Sequence, residues 1–235
     1  MPENGTDALP AFDAILLDMD GLVLDSEATY CAAWQQAAAD IGHALDDAFL
    51  ESLFGRHADD VVQALAEALG ADFAREPFFK AAEQHWFRSV EVHGIPRMPG
   101  IEPLLEAMQW RRIPYALATN SDDHYARRCL ALGGLAEAFP VRVTRDQVRS
   151  GKPEPDVYLE AARRLGVEPG RCLVLEDSET GLQAARAAGT QPLLIQRSER
   201  LRAKLRDQAL LALPSLTELT QLIERQPVPP DGFRN

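Results

Sequence analysis

The sequence predicts an α/β fold: a Rossmann-like parallel sheet core with helices on both faces and an inserted α-helical cap domain. Three observations carry this prediction. From about residue 94 onward, aliphatic runs alternate with helical periods, the pattern of a parallel sheet covered on both faces. A single strand-like run, Ala14–Leu17, precedes a long stretch that shows helical periods alone, to about residue 93. The two regimes meet at HGIPRMPG, where two prolines and two glycines in eight residues end the helical stretch. The core is therefore expected to be discontinuous, residues 10–27 and 94–225, around a helical cap at 28–93, with tails at 1–9 and 226–235.

In chain order, the run at 14–17 is the first strand. A helix is expected from Ser26 to Ile41, alanine-rich and closed by Gly42. ADDVVQALAEALG sets Val61, Leu65 and Leu69 on one stripe at four-residue spacing, and FFKAAEQHWF continues the helical reading. After the break, a helix at about 101–110 leads to the strand IPYALAT. A helix around 125–132 leads to the short strand PVRVT. A helix at 156–165 leads to RCLVLE, and one at 180–188 leads to PLLIQ. The tail QPVPPDGFRN is expected to be frayed.

The 235 residues are 46% hydrophobic, enough for one large core domain with an insertion. A formal net charge of -12 argues against a nucleic-acid partner, since phosphate backbones select Lys and Arg. A small phosphorylated metabolite needs just one or two local cations and is not excluded. Cys31, Cys129 and Cys172 are odd in number and share no C-x-x-C spacing, which points to reduced thiols in a cytoplasmic protein. No signal peptide and no membrane span are expected.

In open parallel sheets, ligands bind beyond the carboxyl ends of the strands. The first strand ends in Asp18 and then Asp20, and IPYALAT ends in Thr119, Asn120 and Ser121. RCLVLE ends in Glu176 and Asp177, and the loop RSGKPEPD offers Lys152. Four carboxylates cannot stay ionised side by side without a cation. Mg2+ is the natural one, being hard, oxygen-seeking and able to bridge carboxylates and phosphates. Thr119 and the backbone N–H groups after it are expected to open a helix, a ready anion site. An aspartate is ionised at neutral pH by its reference pKa of about 3.9, so it serves as a nucleophile without a dedicated base. In this reading Asp18 attacks phosphorus and Asp20 handles protons. Asp25 and Ser26 are read as a turn or helix cap, and Asp177 or Ser178 as the N-cap of the following helix. Trp34 and Trp86 are read as packing residues.

DMDGLVLDSE, ATNS, GKPEPDVY and LEDSETGLQAARAAG, in that order, resemble the haloacid dehalogenase superfamily. The branch resembled is the beta-phosphoglucomutase-like one, with a helical cap after the first strand. The resemblance implies a phospho-accepting nucleophile and metal ligand at Asp18. It implies a general acid and base at Asp20, whose backbone carbonyl touches the metal. Thr119 and Asn120 would hold phosphoryl oxygens, and Lys152 would pair with Asp18 and the phosphate. Asp177 would ligate magnesium, with Glu176 as ligand or behind it, and Gly21 would permit the tight turn after the first strand.

Beta-phosphoglucomutase-like enzymes carry a histidine early in the first cap helix and an arginine three residues after a cap glycine. Here those positions are Tyr30 and, counting from Gly55, Ala58. A magnesium-dependent phosphomonoester hydrolase of a sugar or polyol phosphate is therefore expected, as a monomer or weak dimer, with a hexose-phosphate mutase as the alternative. A phosphoacceptor signalling domain is the distant alternative. Specificity is expected from the cap, with Phe54, Gly55, Arg56, His57 and Lys80 as candidates.

Overall fold

A computed structural model describes residues 9–53, 58–70 and 73–226. Its strands are β1 (Ala14–Leu17), β2 (Tyr115–Ala118), β3 (Arg142–Val143), β4 (Cys172–Glu176), β5 (Gln191–Ile195) and β6 (Leu211–Leu213). They form one parallel sheet in the order β3-β2-β1-β4-β5-β6. The register pairs Leu17 with Leu117 on one side and with Leu175 on the other, so β1 lies inside the sheet. From β1 the chain builds first outward through β2, and later returns to the opposite side as β4. That reversal opens a crevice at the carboxyl end of β1, the place where such sheets bind ligands.

The pleat explains the two layers of the core. Ile15, Leu17, Leu117, Leu173, Leu175, Leu193 and Ile195 face one side. Helices α5 (Ile101–Arg111) and α10 (Leu216–Arg225) cover them with Leu104, Met108, Leu219 and Ile223. Ala14, Leu16, Ala116, Ala118, Val143, Cys172 and Val174 face the other side, under α7 (Asp156–Leu165) and α8 (Glu179–Ala187). Successive residues of a strand point to opposite faces, so both faces must be apolar. Each fully buried leucine contributes about 1.5–3 kcal/mol. The second face is rich in alanine, from the sheet and from Ala161, Ala162, Ala184 and Ala185 of the helices. Small side chains there let α7 approach closely.

Between β1 and α5 lie α1 (Ser26–Asp40), α2 (Asp47–Glu51), α3 (Ala58–Leu69) and α4 (Arg75–His93). The stripe Val61, Leu65 and Leu69 is buried as the spacing predicts, in a cluster of its own with Leu45, Leu50, Leu53, Phe78 and Ala82. Trp34 packs against that cluster. Trp86 is buried and stacks between Tyr30 of α1 (5.1 Å) and Tyr125 of α6 (Asp123–Leu132; 5.9 Å), tying this block to the sheet domain. Both tryptophans are packing residues, as expected.

Several readings need correction. The segment PVRVT supplies just two strand residues, Arg142 and Val143, because β3 is an edge strand that pairs on one side. The sequence reading missed β6, the opposite edge, together with α2, α9 (Glu199–Leu205) and α10. Thr119 does not open a helix: α6 starts at Asp123, capped by the Asp122 carboxylate, which accepts from the N–H of Tyr125 at 2.9 Å. Ser26 is not a cap either, since its hydroxyl turns to Asp20. Ser178 does cap α8, accepting from the N–H of Gly181 at 3.1 Å.

Candidate active site

The strand ends bring the predicted polar residues to one place. Asp18 follows β1 directly, Thr119 follows β2, and Glu176 and Asp177 close β4. Lys152, on the loop before α7, reaches across to them. Its ammonium donates to Asp18 Oδ1 and, at 2.6 Å, to Glu176 Oε1. Asp18, Thr119, Lys152, Asp20, Asn120 and Asp177 line one cavity of about 1090 Å³. Phe54, Gly55, Arg56 and His57 lie outside the described residues. Lys80, the remaining cap candidate, is exposed on α4 and does not line this cavity.

Lysine is a costly residue to bury, so its surroundings must hold it. Lys152 is 4% exposed in its side chain. Burial alone would push its ammonium down, but Asp18 and Glu176 beside it reverse this and hold it above the usual lysine range. The loop is fixed by Asn120, whose Oδ1 accepts from the Lys152 N–H at 2.7 Å and whose Nδ2 donates to the Lys152 carbonyl at 3.1 Å. Both polar atoms of the Asn120 side chain are thus spent on positioning the lysine. Tyr158, buried on α7, donates to Glu176 Oε1, and its ring lies 4.9 Å from the Lys152 ammonium. Glu176 Oε2 accepts from the N–H groups of Asp177 (3.2 Å) and Ser178 (3.3 Å) and from the Ser178 hydroxyl (2.9 Å). Tyr158 and Ser178 escaped functional assignment in the sequence, although both lie inside quoted motifs.

Asp20 sits differently. Its Oδ1 accepts from the Ser26 hydroxyl at 2.7 Å and its Oδ2 from the Ser121 hydroxyl at 3.0 Å. Burial raises its pKa even so. A carboxyl whose pKa is raised holds its proton more readily, which suits general-acid work. Thr119 is 1% exposed, and its Oγ1 accepts from the Ser121 N–H at 3.1 Å, which leaves the hydroxyl proton to donate.

The reference pKa used for Asp18 in the sequence does not hold here. Burial pushes Asp18 up to about 7, against the pull of Lys152 and with the charge of Glu176 adding to it. Asp177 is raised well above its ordinary value by burial, then by the charges of Glu176 and Asp18. Among the described residues no group donates a hydrogen bond to the Asp177 carboxylate, which lies against the Gly21 backbone. Carboxylate oxygens of Asp18, Glu176 and Asp177 lie within 4.8 Å of one another. An all-oxygen acidic donor set with one under-paired carboxylate fits a hard divalent cation.

A doubly covered parallel sheet with acidic residues and a buried lysine at its switch point defines an α/β enzyme. The model of the haloacid dehalogenase-like hydrolase family matches residues 12–189, and the chain belongs to that family. It is 35% identical over 179 residues to fructose-1-phosphate phosphatase YqaB of Escherichia coli (strain K12), covering 76% of this chain and 93% of that protein. It is similar to a solved HAD family hydrolase from Deinococcus radiodurans R1 with bound phosphate and sodium, at 31% identity and TM-score 0.75, covering 88% of this chain and 93% of that one. The beta-phosphoglucomutase of Clostridium difficile shares the fold, at 24% identity and TM-score 0.64, covering 88% of this chain and 93% of that one. Among the described residues no helix is long and apolar enough to cross a membrane.

Proposed function

We propose that the chain is a magnesium-dependent phosphomonoester hydrolase of a small sugar or polyol phosphate. It works through a phosphoaspartyl intermediate on Asp18, as a cytoplasmic monomer or weak dimer. The observation that carries this is the buried Lys152 ammonium held between Asp18 and Glu176, next to the under-paired Asp177 carboxylate. The substrate class is drawn from the likeness to a fructose-1-phosphate phosphatase.

Asp18 and Asp177 would hold the metal, with the Asp20 backbone carbonyl beside them. Glu176 stands behind, because its two oxygens are already engaged. Magnesium, when bound, supplies the positive charge that keeps these carboxylates ionised and offsets charge on the phosphoryl oxygens. Lys152 holds Asp18 Oδ1, which leaves Oδ2 to attack phosphorus. The bond from phosphorus to the leaving oxygen breaks, and Asp20 gives that oxygen its proton, releasing the alcohol. The Asp20 carboxylate then takes a proton from water, whose oxygen attacks phosphorus. The acyl-phosphate bond breaks, freeing inorganic phosphate and the Asp18 carboxylate. Thr119 donates to a phosphoryl oxygen. Asn120, its side chain spent on Lys152, contributes its backbone N–H.

Tyr30 favours hydrolysis over the mutase reading. At the position of the mutase histidine, its hydroxyl is 2.7 Å from that of Tyr125 and its ring stacks on Trp86, so it packs rather than engages Asp20. Position 58 is alanine, which offers no grip on a second phosphate. The test is phosphate release from a panel of sugar, polyol and nucleoside monophosphates, with magnesium and with EDTA. Magnesium-dependent release is expected. Glucose 6-phosphate formed from beta-glucose 1-phosphate without phosphate release would establish the mutase. A single phosphorylation without turnover would establish a signalling domain.

Two further results are expected. Asp18 and Asp177 have folded pKa values above the unfolded ones, so their ionisation costs stability in the metal-free protein. For Asp18 that cost is absent below about pH 4 and grows as pH rises toward about 7. A divalent cation removes it, so magnesium should raise Tm more at pH 8 than at pH 5.5. An equal rise at both would contradict the assignment. Gly21 has φ +79, and a Cβ there would lie 2.2 Å from Asp177 Oδ2. Gly21→Ala should raise the magnesium needed for half-maximal activity about 10- to 100-fold, the usual effect of disturbing a ligand's support. Wild-type magnesium dependence in that variant would remove Asp177 from the ligand set.

A further inference from the structure

We propose that Arg200, on α9, forms a subsite for a second anionic group, a carboxylate or second phosphate, at the far end of the substrate. The proposal rests on the phosphatase reading and adds to it that part of the specificity is read by the sheet domain rather than by helices α1–α4.

Between β5 and the end of α9 the chain carries four cations, and three are occupied. Arg197 pairs with Asp25 at 3.4 Å, Arg202 donates to the Gln196 carbonyl at 2.8 Å, and Lys204 pairs with Glu179 at 2.9 Å. Arg200 has no ion-pair or hydrogen-bond partner among the described residues, yet it lines the cavity that holds Asp18 and Lys152. It also lines an adjoining cavity of about 630 Å³ that begins at Gly21 and Asp177 and runs past Met98 and Leu216. A phosphoryl group alone fills a small part of this space, so the rest is room for the remainder of the substrate.

Arg200 is well placed to read that remainder. The Gln196 side chain donates to the Asp177 carbonyl at 3.2 Å and accepts from the Ser198 N–H at 3.0 Å, binding the start of α9 to the loop of the acidic cluster. Leu205 anchors the end of α9 on Leu182 and Leu194. The backbone of α9 that carries Arg200 is therefore held to the sheet domain. With Lys152 committed to Asp18 and Glu176, and Lys204 to Glu179, Arg200 is, among the described residues, the cation of this cavity left for a substrate anion. Its planar fork suits a carboxylate or a phosphate.

The test compares kcat/KM for two pairs, fructose 1,6-bisphosphate against fructose 1-phosphate and 6-phosphogluconate against glucose 6-phosphate. Wild type, Arg200→Ala and Arg200→Lys are assayed with magnesium. Wild type should favour the doubly anionic member, and Arg200→Ala should lower that ratio about 10- to 100-fold, mainly through KM. Arg200→Lys should keep part of it. An unchanged ratio in Arg200→Ala would overturn the subsite. Calorimetric binding of the same compounds to Asp18→Asn, with and without Arg200→Ala, reads the subsite without turnover. Failure of hydrolysis and failure of the subsite are then separate results.

Discussion

Asp18→Asn is expected to stop phosphate release, with a loss of at least about 10⁴-fold, while leaving the metal-free protein as stable as the parent or more so at pH 8. The loss follows from removing the nucleophile, whose absence the rest of a site does not replace. The stability result follows from burial, which pushes Asp18 up to about 7. Above that pH the parent carries a buried carboxylate whose ionisation opposes folding, and asparagine carries none. Below about pH 4 both side chains are neutral and the gain vanishes. Lys152 keeps Glu176 as its partner in the variant. Melting curves without metal at pH 8 and pH 4 check the sign. A clear drop in Tm at pH 8 would show that the Lys152 contact outweighs the burial cost.

Lys152→Met is expected to do the opposite to stability and the same to activity. Methionine matches the stem of lysine but removes the charge held between the buried Asp18 and Glu176. Breaking a buried pair from one side costs about 3–5 kcal/mol, because the partner charges are left uncompensated. For a chain of this size that is a fall in Tm on the order of 10 °C. Magnesium should recover part of it, since a cation at Asp18 and Asp177 replaces some of the lost charge. Activity should fall at least about 10³-fold, the loss of a preorganised cation beside the developing charge. A variant that melts like the parent would mean that the carboxylates protonate without penalty, and the lysine would lose its structural role.

The parts of this molecule legible in the sequence are those where one strong local signal sufficed. The interior strands read as apolar runs, each cut off by a polar residue, so Asp18, Thr119 and Glu176 were visible as strand ends. Lys152 stood out as a cation between a glycine and a proline. The edges were harder. β3 and β6 pair on one side and are short, with two and three residues. Contacts between distant residues were hidden for another reason. Ser26 has the sequence position of a cap, and nothing local says that its hydroxyl turns to Asp20. Asn120 has the position of a phosphate ligand, yet its side chain grips the main chain of Lys152, 32 residues on. The pKa of Asp18 depends on burial and on Lys152 and Glu176, both distant in the sequence, so a reference value misjudged it. Arg200 sits in a charged segment that resembles any solvated helix face, and it is distinguished just by what its neighbours touch.

The central claim is a covalent phosphoryl group on Asp18, and an Asp20→Asn protein tests it most directly. An aryl phosphate, whose leaving group departs without being protonated, does not need Asp20 for the first step. Hydrolysis of the acyl phosphate still needs Asp20 as a base. With p-nitrophenyl phosphate and magnesium, Asp20→Asn should release one equivalent of nitrophenol in a burst and then slow. Mass spectrometry of the acid-quenched protein should place one phosphoryl unit on the peptide containing Asp18. Steady release without a burst, or a phosphoryl group on any other residue, would contradict the mechanism.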